Sequence, residues 1–93
     1  MPQFEVAHVN EQGVNLIIVP VSSSFGFQAR QEQAEITADI ELHAHQAGLA
    51  GTVVPVWDAG GRMAFYAPQS YAPFFQSISL ADVAQSINGT ISW

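Results

Sequence analysis

The sequence predicts an α+β fold, a small two-layer domain in which two helices cover one face of a mixed β-sheet in the order β-β-α-β-β-α-β. Three observations point to it. Residues 4–20 and 52–67 each hold two β-rich segments around a short glycine-containing turn. A long run of helix formers between them closes on a glycine. A shorter run after them opens on a serine and closes on Asn88 and Gly89.

Phe4 to Val9 alternates, with Phe4, Val6 and His8 on one face, and the polar turn NEQG follows. After Gly13, VNLIIVPV is dense in β-branched residues and suits a strand buried on both faces towards the centre of the sheet, hairpinned to the first. Pro20 belongs at that strand's end, because an interior proline removes a ladder hydrogen bond. Ser22 to Phe27 (SSSFGF) reads as a strand-to-helix loop in which a serine caps the next element.

Gln33 to His45 carries two signals. Polar and apolar residues alternate, with Ala34, Ile36, Ala38, Ile40, Leu42 and Ala44 on one face, which describes a half-buried strand. Ala29, Ile36, Ile40, Ala44 and Ala47 also share a narrow sector at about 100° per residue, among strong helix formers. Gly48 followed by Leu49 fits a helix C-cap, and Glu32 and Glu35 suit the positive end of a helix dipole. A helix from about Phe27 to Ala47 is therefore predicted; a strand there would make the molecule mostly antiparallel β. On the helix, Ala34, Ala38 and Leu42 lie off the main stripe and widen it towards a second subunit.

TVVPVW, the turn DAGG and RMAFYAP give a second hairpin from about Thr52 to Ala67, with Pro55 marking an edge or an irregularity. PQSYAPFFQS reads as an ordered aromatic loop stiffened by Pro68 and Pro73. Ser79 and Asp82 form an acidic variant of the capping box ahead of Leu80, Val83, Ala84 and Ile87. Thr90 to Trp93 completes the sheet.

With 93 residues, 48% of them hydrophobic and 11% charged, the chain builds one core, and residues 1–93 read as a single domain. A net charge of -6 without a single lysine excludes nucleic acid as a partner. The absence of cysteine removes disulfides and thiolate metal sites. The longest clean apolar run, Leu16 to Val21, falls far short of the about 18 residues of a membrane span. MPQFEVAH has neither the basic nor the long apolar region of a secretory signal, so a cytoplasmic location is expected. High apolar content with little charge favours a homo-oligomer, most simply a dimer, and the acidic balance favours a protein partner with a basic surface.

Asp39, His43 and His45, with Glu41 between them, are the most chemical-looking cluster, since imidazole and carboxylate bind metals and exchange protons. On a helix His43 and His45 stand about 200° apart, whereas Asp39 and His43 are neighbours at i and i+4. On a strand all four would share one face. Ser22, Ser23 and Ser24 lack a nucleophile elbow, SSSFGF lacks the glycines and lysine of a phosphate loop, and no cofactor is implied. Trp57, Asp58 and Arg62 flank the second hairpin's turn, with Tyr66 nearby, and suit recognition better than catalysis. Tyr71, Phe74 and Phe75 either plug the core or present apolar anchors. The function expected is a non-enzymatic interaction or assembly domain, self-associating through an aromatic and apolar face around Trp57 and Tyr71 to Phe75. The alternatives are a metal-dependent or acid/base enzyme using Asp39, His43 and His45, and a small-molecule binding module.

Overall fold

The computed structural model describes residues 3–11 and 13–92. Among these, five strands form one sheet: β1 (Gln3–Glu11), β2 (Val14–Pro20), β3 (Thr52–Asp58), β4 (Met63–Phe65) and β5 (Gly89–Ser92), in the order β4-β3-β2-β1-β5. β2 and β3 run parallel, joined through the helix α1 (Arg30–Gln46), while the other neighbours are antiparallel. Two short helices, α2 (Ala72–Gln76) and α3 (Leu80–Ser86), connect β4 to β5. The α+β class and the mixed sheet agree with the sequence reading and the order of elements does so roughly: α2 is a third helix, formed within the segment expected to be an aromatic loop. Trp93, expected in the last strand, lies outside the described residues.

β2 is the central strand, and its continuous apolar run is buried from Leu16 to Val19. Alternation divides that run between two clusters. Ile17 and Val19 join Val6, Val53 and Ile91 beneath Ile40 and Ala44 of α1. Leu16 and Ile18 join Ala7, Val54 and Val56 against Phe75 of α2 and Val83 of α3. The helices therefore cover both faces of the sheet, where the sequence reading placed two helices on one. The cause is connectivity: the parallel crossover from β2 to β3 carries α1 over one face, and the chain leaving β4 at the far edge returns across the other to reach β5 beside β1.

The alternating segment 33–45 is helical, and Ile36, Ile40 and Ala44 turn inward. Its end is the predicted glycine cap: Gly48 has φ +89°, the Leu49 N–H donates to the Ala44 carbonyl at 3.0 Å and the Gly48 N–H to the His45 carbonyl at 3.0 Å. Its start differs. Ser22 caps a 3-10 turn at Ser23–Phe27, Gln28 and Ala29 are extended, and α1 begins at Arg30 rather than Phe27. α3 carries the expected capping box, with Ser79 N–H donating to Asp82 Oδ2 at 2.9 Å and Asp82 N–H to Ser79 Oγ at 3.3 Å.

Pro55 lies where β4 runs out. Its carbonyl accepts from the Tyr66 N–H at 3.0 Å, so the hydrogen bond it cannot donate is the last rung of the β3 to β4 ladder. Beyond that rung the edge of β3 is uncovered by strand, and α1 covers it with side chains. The Val53 N–H donates to Glu41 Oε1 at 3.0 Å, and His45 Nε2 donates to the Gly51 carbonyl at 2.9 Å. At the other side of the sheet, Asn88 extends the β1 to β5 pairing with its carboxamide, which accepts from the His8 N–H and donates to the His8 carbonyl, both at 2.9 Å.

Candidate functional site

The helical form of residues 33–45 separates the groups that a strand would have gathered. His43 lies on one flank of α1, its Nδ1 donating to the Asp39 carbonyl at 2.8 Å and standing 3.5 Å from the Asp39 carboxylate. His45 lies on another and is bonded to Gly51. His8 Nε2 donates to the Ala50 carbonyl at 2.8 Å, so His8 and His45 together hold the connection between α1 and β3. Among the described residues no group of three His, Asp or Glu side chains is arranged to hold a metal ion. Asp39, His43 and His45 do not converge on a cleft, and Glu41 is committed to the sheet edge.

By strand alternation from Val53, Trp57 projects to the α1 side of the sheet, and its ring lies 5.0 Å from that of Phe25. Gly26 of the 3-10 turn approaches its indole edge so closely that a β-carbon there would sit 2.5 Å from Nε1. This contact shapes a cleft of about 430 Å³ lined by Ser23, Gly26, Phe27, Trp57, Asp58 and Gly60. Phe27 stands at its rim, 91% exposed, on a turn anchored beneath by buried Phe25 and by the Gln33 Nε2 bond to the Phe25 carbonyl at 2.9 Å. Asp58 spends its carboxylate on the turn, accepting from the Gly61 N–H at 2.8 Å. Arg62 does not line this cleft but a separate one, with Met63, Phe65 and Phe75. The first residue of α1, Arg30, lies over the Tyr66 ring, 5.4 Å from its centroid.

The 71–75 aromatics occupy the opposite face of the sheet, so the single aromatic face expected from sequence divides in two. Phe75 is 1% exposed, with Phe65 and Phe74 rings at 5.4 and 5.1 Å, and belongs to the core. Tyr71 and Phe74 are half-buried and line a cleft of about 490 Å³ with Glu11, Val14, Pro73 and Ser77. Phe74 and Glu11 also line a smaller cleft of about 170 Å³ that runs on to Val9, Ile78 and Asp82.

Sequence reasoning missed Phe27 and Glu11. Phe27 was assigned to the helix start, although its setting after serines and Gly26 is a loop signal. Glu11 sits in a polar turn motif, where no spacing marks it. No protein-family model matches the chain, and no curated protein or solved structure shows significant similarity to it.

Proposed function

We propose that this chain is a non-enzymatic assembly domain that binds a second copy of itself, most simply as a twofold dimer, through the shelf formed by Phe27 and Trp57. The observation that carries this reading is Phe27, 91% exposed on an anchored turn beside an apolar cleft. A full phenylalanine side chain held in water forgoes about 1.5–3 kcal/mol of burial. A projecting ring next to a recess is self-complementary, because a twofold axis sets each ring into the other copy's cleft. The side of the molecule that α1 covers adds apolar area. Ala34, Ala38 and Leu42 recur at four-residue spacing on the outward side of α1, all exposed, and small residues there permit close approach of a second helix.

Light scattering across a concentration series tests the reading. The unaltered chain is expected to show a dimer mass, and Phe27→Ser a monomer mass with unchanged circular dichroism, since Phe27 makes almost no intramolecular burial. A monomer at all concentrations, or an unchanged dimer in the variant, overturns it.

A further inference from the structure

We propose that the furrow on the opposite face, between the β1–β2 hairpin and α2–α3, binds a segment of another protein that presents apolar side chains beside a lysine or arginine. It goes beyond the self-association reading, uses none of the same residues and stands if that reading falls. Two clefts, of about 490 and 170 Å³, share Phe74 and Glu11 as lining residues and so make one furrow with two basins, each part apolar and part polar, Ser70 and Ser77 also lining the first. Val14, Leu16 and Tyr71 line the first basin, and Val9, Ile18 and Ile78 the second.

Charge names the occupant. The ionisable carboxylates of the furrow are Glu11 and Asp82, and no basic side chain lines either basin. The chain has only two cations to offset eight acids, and both are placed elsewhere. Arg30 is stacked on Tyr66 on the α1 side, and Arg62 lines the next cleft, past Ile78. Asp82 Oδ2 accepts from the Ser79 N–H at 2.9 Å and from the Ser79 hydroxyl at 3.2 Å in the α3 capping box, and the residue stays exposed. Glu11 is exposed, its backbone is paired with Val14 in the hairpin, and its carboxylate makes no hydrogen bond or ion pair among the described residues. A carboxylate at the junction of two partly apolar basins disfavours an acidic segment and attracts a cation flanked by apolar groups. A simple apolar ligand would gain nothing from Glu11, and a free cation nothing from the basins.

The probe is a fluorescein-labelled amphipathic peptide of leucine and lysine, with a leucine and glutamate peptide of the same pattern as its counterpart. Anisotropy at 0.15 M salt is expected to show saturable binding of the lysine peptide alone. Glu11→Lys should weaken it at least tenfold, and Glu35→Lys, on the far side of the molecule, less than twofold. Amide shift perturbations on titration should cluster at Val9, Glu11, Phe74 and Ser77. Melting temperatures of both variants, expected to match the unaltered chain, separate lost recognition from lost fold. The proposal is overturned by absence of binding, by equal binding of the glutamate peptide, by equal weakening from Glu35→Lys, or by perturbations confined to α1. None of these outcomes bears on the Phe27 dimer, whose mass is measured without peptide.

Discussion

A β-carbon at residue 26 would stand 2.5 Å from Trp57 Nε1 and 3.2 Å from Cε2, so the glycine is there for space. Trp57 has little room to retreat, being 8% exposed and packed on Phe25. Gly26→Ala is expected to cost about 1–3 kcal/mol, as overpacking does, read as a lower urea midpoint with a changed near-ultraviolet dichroism of Trp57. An unchanged midpoint would mean that the 3-10 turn shifts freely. This pairing was illegible in the sequence, because residues 26 and 57 come together only after the crossover has folded. The histidines teach the same lesson in reverse. Their residue types suggested chemistry, but His8, His43 and His45 each direct a ring nitrogen at a main-chain carbonyl, and no local pattern foretells those partners.

At the scale of elements, α1 does more than cover the sheet. Glu41 reaches over the stretch of β3 that β4 is too short to pair, and His45, one turn on, bonds the Gly51 carbonyl just ahead of that strand, so that the helix finishes the edge and its approach with side chains. Glu41→Ala strands the Val53 N–H and is expected to cost about 1 kcal/mol. Hydrogen exchange at Val53 should accelerate while exchange at Ile17, inside the β2 ladder, changes only with global stability. If Val53 exchange keeps pace with Ile17, the bond contributes nothing local. Helix ends were legible where the signal was contained in a few consecutive residues, as with Gly48-Leu49 and with Ser79 to Asp82. The start of α1 was not, because Ser22 caps a 3-10 turn instead and the extended pair Gln28 and Ala29 intervenes without any breaker residue. The alternation over 33–45 misled for a related reason: it is compatible with both periods, and burial of Ile36, Ile40 and Ala44 against the sheet selects the helix.

For the whole molecule, the two apolar clusters are divided by a sheet one residue thick, and β2 and β3 feed both. Ile17 packs towards α1 while Ile18 packs towards α2 and α3, so neither layer can loosen without disturbing strands that the other needs. Ile18→Ala is expected to lose about 2–5 kcal/mol. Far-ultraviolet and near-ultraviolet dichroism should still trace one coincident transition, and separated transitions would show that α2 and α3 unfold on their own. VNLIIVPV, apolar on both faces, called for cover on two sides, yet the sequence reading put both helices on one, because which helix takes which face depends on topology and cannot be read from periodicity. The pairing of β1 has a consequence in time. Against β2 it needs only a short turn to close, with Glu11 meeting Val14, whereas against β5 it joins Gln3 to Ser92 across nearly the full chain. Loop-closure entropy favours forming the first early and the second late. One strand is thus expected to take part in both the opening and the closing step of folding, with the sheet unsealed along β1 until the rest of the molecule has found its place.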